Sequence, residues 1–371
     1  MATSPPAKRL PLSVPMRPPA GPYTALLDEV WESAWLTNHG PLVRRLESEL
    51  ATALDVPAVQ VVSSGTQGLE LMIRAFDLAP GEIITTPFTF AATATVIARS
   101  GHRPVFADID PATWNLDPKA VRQTITPSTR AILATHVFGN PADVAALDEI
   151  GAEHNLPVFY DAAHGFWVWH RGRGLLAFGD AAAISFHATK PFHTGEGGAV
   201  VFRDPARRAV LTKQRGFALA DTLTAETTNA KMSELHAALG LALLPEMPTA
   251  IARRRDLLAL YRENLTGLPG VTWQKEARAT LSNAAYAAVR LADEQTVLSV
   301  RETLDKQGIA SRRYFFPSLD TLDVFGASAA CPISRDLASR VLCFPLHDAM
   351  TTADVDRVCT VVAEILYPLA A

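Results

Sequence analysis

Short apolar runs alternate with segments of helical periodicity along the first two thirds of the chain. In the segment 69–76, apolar side chains recur three or four positions apart, as they do along one face of a helix. Runs typical of buried strands follow at 83–86, 105–109, 131–136 and 158–161. This alternation predicts an α/β fold in which helices cover both faces of a sheet.

The pattern changes after a helical segment at 233–244, where Glu246-Met247-Pro248 suggests a domain boundary. A basic helix, a strand around 284–291 and a helix near 294–307 are predicted beyond it. We therefore predict a large domain at 23–247 and a smaller C-terminal α+β domain at 248–371. Residues 1–22 contain many prolines and no uninterrupted apolar stretch, which indicates an extended arm rather than a signal peptide.

Composition narrows the class of protein. The chain has 371 residues, 48% of them hydrophobic, and a formal net charge of -4, which gives no electrostatic footprint for nucleic acid. No apolar run approaches membrane-spanning length, so we expect a soluble cytoplasmic enzyme without a membrane partner. Cys331, Cys343 and Cys359 are odd in number and have no CxxC spacing, so neither a disulfide framework nor a metal site is expected.

Lys190 is the first candidate for chemistry. It follows the apolar run that includes Ser185 and precedes the glycine-bracketed turn at 195–198. A lysine in this position can present its amine inside a cleft and hold an aldehyde cofactor as a Schiff base. A lone lysine is more often a solvated surface charge.

Asp161 strengthens the interpretation of Lys190. It ends the predicted strand 158–161, and ligands of open α/β sheets bind at the carboxyl ends of the strands. An isolated aspartate there is more often a helix N-cap or a turn residue. Pyridoxal phosphate, however, needs both a carboxylate against its ring nitrogen and a lysine for its aldehyde. The pair therefore favours pyridoxal 5'-phosphate as the cofactor.

A phosphate-binding turn is the third element. Residues 63–68 follow the apolar run 59–62, include Gly65 and Thr66, and open the predicted helix. Free backbone N–H groups and the positive end of a helix dipole attract an anion at such a turn. The same residues also fit an ordinary N-cap. Ser185 and the lysine–aspartate pair favour the cofactor phosphate.

Taken together, these stretches resemble the sugar aminotransferases of the DegT/DnrJ/EryC1/StrS family, within the aspartate aminotransferase fold. The resemblance extends from 33–37 to 341–346 and includes seven ordered blocks, at 64–66, 87–93, 136–139, 161–163, 189–190, 195–198 and 229–235. It implies pyridoxal phosphate fold type I, which is a mixed, mainly parallel sheet between helices with a smaller C-terminal domain.

The resemblance implies a role for each matching residue. Lys190 would carry the cofactor as a Schiff base, and Asp161 would pair with the pyridine nitrogen. Gly65, Thr66 and Ser185 would contact the phosphate.

The resemblance also implies contacts with the cofactor ring. Phe90 would stack on one face, although burial in the core at the start of a helix is its alternative. Ala163 would pack on the other face. The chain departs from the family at His164, where glutamine is usual, and at Lys231, where arginine is usual. The imidazole of His164 adds a group that can titrate near neutral pH, and a lysine cannot form the two-pronged anion contact of an arginine.

A homodimer with shared active sites is a further implication. In the family, the loop that matches 228–231 reaches the cofactor of the neighbouring subunit. Asn229 is accordingly a candidate phosphate contact across the interface.

We interpret the sequence as an aminotransferase that uses L-glutamate, or glutamine, to aminate a nucleotide-linked ketosugar. Candidate substrate contacts are Lys231, Arg312, Arg313 and Tyr314, although 312–317 also fits an edge strand ended by proline. The segment 313–317 lacks the His-Tyr pairing of many 3-amino sugar enzymes in the family, so the resemblance favours amination at C4 of a 4-keto-6-deoxyhexose. A ketocyclitol aminotransferase ranks second. A regulatory protein that binds the cofactor without turnover ranks third, because Lys190 is intact.

Overall fold

A computed structural model describes residues 9–216, 227–326 and 329–367. In the first half of the chain the helices are α1 (Ala20–Ser33), α2 (Pro41–Ala53), α3 (Gly65–Arg74), α4 (Ala91–Arg99), α5 (Pro118–Thr124) and α6 (Val144–His154). The strands there are β1 (Gln60–Val62), β2 (Glu82–Thr85), β3 (Arg103–Phe106), β4 (Thr129–Thr135), β5 (Val158–Asp161), β6 (Trp169–His170), β7 (Arg173–Gly174) and β8 (Ala181–Ser185).

The remaining elements complete the sheet and form the C-terminal part. They are β9 (Gly198–Phe202), α7 (Pro205–Gln214), α8 (Glu234–Leu243), α9 (Met247–Leu265), β10 (Thr272–Trp273), β11 (Thr280–Leu281), β12 (Ala287–Arg290), α10 (Glu294–Lys306), α11 (Pro332–Arg340), β13 (Val341–Phe344) and α12 (Thr352–Leu366).

The predicted α/β fold is confirmed. Seven strands form one sheet in the order β1-β9-β8-β5-β4-β2-β3, in which β9 runs antiparallel to both of its neighbours. The predicted helix at 69–76 is α3, which begins at Gly65 because the Ser64 hydroxyl caps it by accepting from Gln67 N–H. The predicted strand at 105–109 is β3, which begins and ends earlier, at Arg103 and Phe106.

The direction of the strands determines where the candidate site residues lie. The strands β1, β8, β5, β4, β2 and β3 all run in one direction, so their carboxyl ends meet at one edge of the sheet. Asp161 ends β5, Ser185 ends β8, and Ser64 lies just after β1. Residues that are far apart in sequence are therefore neighbours at this edge.

Apolar side chains form a core on each face of the seven-stranded sheet. One core packs α2, α6 and α8 against the sheet and includes Leu46, Leu147 and Ala238. The other packs α3 and α4 and includes Met72 and Ile97. Helices on both faces explain why the central strands are continuous apolar runs rather than alternating patterns.

A separate core lies in the C-terminal part, between the three-stranded sheet β10-β12-β13 and the helices α10 and α12. The helix α9 joins the two parts: Met247 and Ile251 pack in the core of the large sheet, whereas Leu258 and Leu265 pack in the C-terminal core. The domain boundary predicted near residue 247 stays a prediction. Its position coincides with the start of this shared helix.

The described part of the N-terminal arm is attached to the C-terminal core. Leu10 is buried there and forms a β-bridge with Ile309. Farther along, the Met16 carbonyl bonds to the imidazole of His193. The helix α1 begins at Ala20, within the segment predicted as extended.

One continuous helical stretch, Glu234–Leu265, is long and apolar enough by composition alone to cross a membrane. More than half of its most apolar window is buried inside the protein. Core helices meet the same criterion, so this stretch, which contains α8 and α9, is weak evidence for a membrane span.

A buried carboxylate connects α8 to α2. Glu234 accepts hydrogen bonds from the backbone N–H groups of Leu42 at 2.7 Å and Val43 at 3.1 Å, and thereby caps α2. A Cβ atom on Gly40 would lie 2.6 Å from the Glu234 carboxylate, so a larger residue there would displace the cap. The first helical turns offer no backbone acceptors for their N–H groups, so this side chain replaces them.

We expect Glu234→Ala to reduce the free energy of unfolding by about 2 kcal/mol, because charge-assisted hydrogen bonds are lost and two buried N–H groups lose their acceptor. Urea denaturation at equal protein concentration measures the change. Glu263→Ala, an exposed position on α9, is the control. Equal denaturation midpoints for the two variants would show that the cap contributes nothing.

Candidate active site

A cavity of about 300 Å³ opens at the carboxyl edge of the sheet. It brings together most of the residues predicted for the site, which come from six separate segments of the chain. The predicted residues that line it are Gly65, Thr66, Phe90, Asp161, Ala163, His164, Ser185, Lys190, Arg312 and Tyr314.

The phosphate-binding turn is built by close backbone approach. A Cβ atom on Gly65 would lie 2.8 Å from Cβ of Ser185, and one on Gly198 would lie 2.6 Å from the Gly65 nitrogen. Both positions therefore need glycine. The N-terminus of α3, a helix of ten residues, faces the same cavity as the Ser185 side chain. This arrangement directs N–H groups and a hydroxyl toward one point, as an anion requires.

Asp161 is held in one orientation. Its Oδ1 accepts from the Ala163 N–H at 3.0 Å, and its Oδ2 accepts from the Thr93 hydroxyl at 2.7 Å. Burial raises the pKa of this carboxyl, whereas Thr93, Ala163 and the Lys190 ammonium act to lower it. A cation placed against Asp161 would favour its charged form further.

Lys190 lies in the turn after β8, where its N–H donates to the His187 carbonyl. Its Nζ is 3.4 Å from the Tyr286 hydroxyl. Burial lowers the pKa of the Lys190 ammonium to about 8, although Asp161 and Tyr314 act to raise it. The neutral, nucleophilic amine is therefore far more abundant near neutral pH than it is in an ordinary lysine.

His164 and Tyr286 complete this side of the cavity. Nδ1 of His164 accepts from the Phe138 N–H at 3.1 Å, and Nε2 lies 3.3 Å from the Tyr286 hydroxyl. Burial and the nearby Lys190 lower the pKa of His164 well below its ordinary value. The imidazole is therefore neutral and carries its proton on Nε2, rather than titrating near neutral pH.

Phe90 and Ala163 lie where the ring contacts were predicted, on the cavity wall. The Phe90 side chain is 58% exposed, which is unusual for a phenylalanine at the start of a helix and argues against a position in the core. A planar ligand in the cavity would cover this apolar surface.

Three predicted residues do not line the cavity of the single chain. Arg313 forms an ion pair with Glu294 at 2.5 Å and donates to the Ser339 carbonyl, so the structure does not support it as a substrate contact. Lys231 packs its aliphatic part beside Gly216, outside the cavity. Asn229 is exposed, which is compatible with its predicted role at a neighbouring subunit.

Four functional candidates had no role assigned from the sequence. Thr89, Thr135 and Tyr286 line the cavity, and Thr93 contacts Asp161. Thr89 and Thr93 belong to a block that matches the family, but their bonds depend on how the loop after β2 packs against β4. Tyr286 precedes β12, in the C-terminal part, and no local pattern connects it to Lys190.

A larger surface cleft of about 1150 Å³ lies between α2, β1 and α7. Its described lining includes His39, Glu47 and Arg215, and none of the predicted site residues. The Arg215 guanidinium there is engaged by Glu47 at 2.7 Å and by the Val61 carbonyl at 2.8 Å. We therefore assign the chemistry to the smaller cavity, which Lys190 and Asp161 both line.

Comparison with known proteins agrees with this geometry. The profile of the DegT/DnrJ/EryC1/StrS aminotransferase family matches residues 22–363. The chain belongs to this family. The predicted family, the fold type and the class of pyridoxal phosphate-dependent transaminase are thereby confirmed.

Individual members are similar over nearly their whole length. The chain is 34% identical to a dTDP-4-amino-4,6-dideoxy-D-glucose transaminase of Shigella dysenteriae, over 95% of this chain and 97% of that protein. It is 29% identical to a GDP-perosamine synthase of Escherichia coli O157:H7, over 91% and 94% of the two chains. A crystal structure of DesI with its TDP-sugar product superposes with a TM-score of 0.91 at 37% identity, covering 98% of this chain and 95% of DesI.

The residues of the cavity fit pyridoxal 5'-phosphate. A Cβ on Gly65 would fill the space needed at the phosphate turn, Asp161 is a buried carboxylate, and Lys190 is a desolvated amine. The exposed Phe90 supplies an apolar plate. Phosphate, ring nitrogen, ring face and aldehyde each have a suitable partner.

We expect the rate at which the apoenzyme binds added pyridoxal phosphate to increase with pH, because only the neutral Lys190 amine reacts. The midpoint of this increase should lie at about pH 8. An ordinary lysine would give a midpoint at about 10.4. Stopped-flow visible absorbance across a pH series measures the rate. Lys190→Ala is the control and should show no capture. A wild-type midpoint above pH 10 would contradict the desolvation of this amine.

Proposed function

We propose that this protein transfers the amino group of L-glutamate to a nucleotide-linked 4-keto-6-deoxyhexose. The observation that carries the proposal is the joint presence of Lys190 and Asp161 in one cavity, beside a phosphate-binding turn. Relatives that span the chain are named as transaminases of dTDP- and GDP-linked sugars, which supports the substrate class.

Each site residue has a defined task in this reaction. Pyridoxal phosphate, when bound, supplies the electron-withdrawing ring that stabilises negative charge at the carbon that loses a proton. Asp161 holds the proton on the ring nitrogen by charge. Lys190 would hold the cofactor and would take up or return the proton of the donor carbon, because its lowered pKa leaves it able to act as a base.

Tyr286 and His164 hold the Lys190 amine in place. The Tyr286 hydroxyl contacts both Lys190 Nζ and His164 Nε2, and the backbone of Phe138 fixes the imidazole. A neutral amine can accept the Tyr286 proton, whereas an ammonium cannot. An ammonium donates to the same hydroxyl oxygen instead, so the contact holds Nζ in place in either charge state.

The sugar nucleotide is expected to enter past Arg312 and Tyr314, which lie on the cavity wall. The Arg312 guanidinium stacks over the Tyr314 ring at 4.8 Å and is otherwise exposed. An exposed guanidinium at the mouth of the cavity is suited to a diphosphate. Amination at C4 is favoured by two relatives whose names place the amino group there.

A ketocyclitol is the second candidate substrate. It has no diphosphate, so it would leave Arg312 without a partner. A cofactor-binding regulator without turnover is the third candidate, and the reactive state of Lys190 argues against it.

The purified enzyme should convert a dTDP-linked 4-keto-6-deoxyhexose to its 4-amino product with glutamate as donor. Mass spectrometry and proton NMR of the product identify the carbon that is aminated. Arg312→Ala should raise KM for the nucleotide sugar about 10-fold through loss of a charged contact, with little change in KM for glutamate. Arg313→Ala, whose guanidinium is engaged by Glu294, is the matched control.

Turnover of free ketocyclitols alone, with no effect of Arg312→Ala, would reverse the order of the two substrates. Cofactor binding without turnover of either substrate class would favour the regulatory protein.

We also propose that two copies form a homodimer with shared active sites. An apolar surface carries Trp31, Trp35, Leu36 and Leu235, of which Trp31 is 70% exposed. Leu36 accepts a hydrogen bond from Glu234 N–H, which places it next to Leu235 at the start of α8. Because Asn229 lies just before this helix, a second copy docked here would receive that residue.

Co-expression of Lys190→Ala and Asn229→Asp chains tests the shared site. Each variant alone should be inactive, because one lacks the amine and the other places a carboxylate beside the phosphate. Mixed dimers should regain one intact site in two, measured as turnover per isolated heterodimer. Inactive heterodimers would indicate that each chain builds its site alone.

A further inference from the structure

Three threonine hydroxyls form a chain of hydrogen bonds that ends at Asp161. Thr135 ends β4, Thr89 lies in the loop after β2, and Thr93 lies in the first turn of α4. The Thr135 and Thr89 hydroxyls are 3.0 Å apart, Thr89 and Thr93 are 2.8 Å apart, and Thr93 is 2.7 Å from Asp161 Oδ2. All four side chains are buried, so water does not compete for these bonds.

The direction of each bond follows from counting protons. A carboxylate only accepts, so the single hydroxyl proton of Thr93 is donated to Asp161. Thr93 must then accept from Thr89, and Thr89, having used its own proton, must accept from Thr135. All three hydroxyl dipoles therefore point their positive ends toward the carboxylate, and each bond polarises the next.

Thr89 and Thr135 also line the cavity, so Thr93 is the threonine that isolates the effect of the hydroxyls on Asp161. Thr93 does not line the cavity and bonds only to Thr89 and Asp161 among the described side chains. Asp161 has no arginine partner among the described residues, and its second oxygen has only the Ala163 N–H. Burial opposes the charge on Asp161, so the hydroxyl dipoles are a main source of compensation.

We propose that Thr135, Thr89 and Thr93 are positioning residues that orient Asp161 and keep it ionised against the ring nitrogen of the cofactor. This inference rests on the proposed role of Asp161. Through the carboxylate, the three hydroxyls determine how fully the ring nitrogen is protonated, although Thr93 touches neither cofactor nor substrate.

The effect of removing each hydroxyl should decrease with distance from Asp161. Thr93→Val removes the bond to the charged group, and such bonds correspond to about a 10-fold to 100-fold change in an equilibrium. Thr89→Val and Thr135→Val leave that bond in place and only reduce its polarisation, so the changes should be smaller, in that order. Valine has nearly the shape of threonine, which keeps the packing.

The experiment uses the loaded full-length enzyme with pyridoxal phosphate carrying ¹⁵N in its ring. The ¹⁵N resonance reports the protonation of the ring nitrogen directly, and kcat is measured alongside. We expect Thr93→Val to move the resonance toward that of a neutral pyridine and to lower kcat about 10-fold to 100-fold. Thr93→Ser keeps the hydroxyl, so its ¹⁵N resonance and its kcat should both resemble those of the wild type.

Thr85→Val is the matched control. Thr85 is a buried threonine at the end of β2 whose hydroxyl donates to the Leu133 carbonyl at 2.8 Å, outside the chain of hydrogen bonds to Asp161. Its loss should leave the ¹⁵N resonance unchanged. Should Thr93→Val fail to fold, Thr89→Val and Thr135→Val must still shift the resonance in the predicted order.

Two results separate the failure of this inference from the failure of the proposed role of Asp161. If Asp161→Asn leaves the resonance and turnover unchanged, the role of Asp161 is wrong. If Asp161→Asn abolishes turnover but the valine variants behave like Thr85→Val, only the threonine chain is overturned. Equal effects of all four valine variants would also overturn it, because packing alone would explain them.

Discussion

The charge of Asp161 is the constraint on which the site depends. A buried carboxylate is costly unless hydrogen bonds or an opposite charge compensate for the lost water. The backbone of Ala163, the threonine hydroxyls and the nearby Lys190 supply that compensation in part. In the proposed role of Asp161, the cation of the bound ring would supply the remainder, and the protein would be complementary to the protonated cofactor.

The same burial acts in the opposite direction on Lys190. Desolvation disfavours charge on both groups, but the chemistry needs a charged carboxylate and an uncharged amine. The neighbours make the distinction: Asp161 is surrounded by donors, whereas Lys190 contacts a phenol that can donate to it once it is neutral. A single cavity therefore surrounds Asp161 with donors that favour its charge and lowers the pKa of Lys190 to about 8.

Much of this arrangement was predictable from sequence because strand direction is predictable. The continuous apolar run at 158–161 indicates a buried parallel strand, and the residue at its carboxyl end must face the ligand edge. The same argument places Ser185 and Gly65. Contacts made by long side chains were not predictable, as Arg313 shows: its neighbour Arg312 faces the cavity, while Arg313 turns to Glu294. The contacts of Tyr286 and Thr93 were not predicted from the sequence because their partners are more than 60 residues away in the chain.

The helix α9 has a consequence for the protein as a whole. One end is fixed in the core of the large sheet and the other in the C-terminal core, and between them the buried Arg254 donates to the carbonyls of Ala284 and Ala285, just before Tyr286. Melting either core would remove half the support of this helix and disturb the other core. The two parts are therefore expected to lose structure in one cooperative transition. Both parts also line the cavity, Lys190 from the one and Tyr286 from the other, so a loss of structure in either part would dismantle the site.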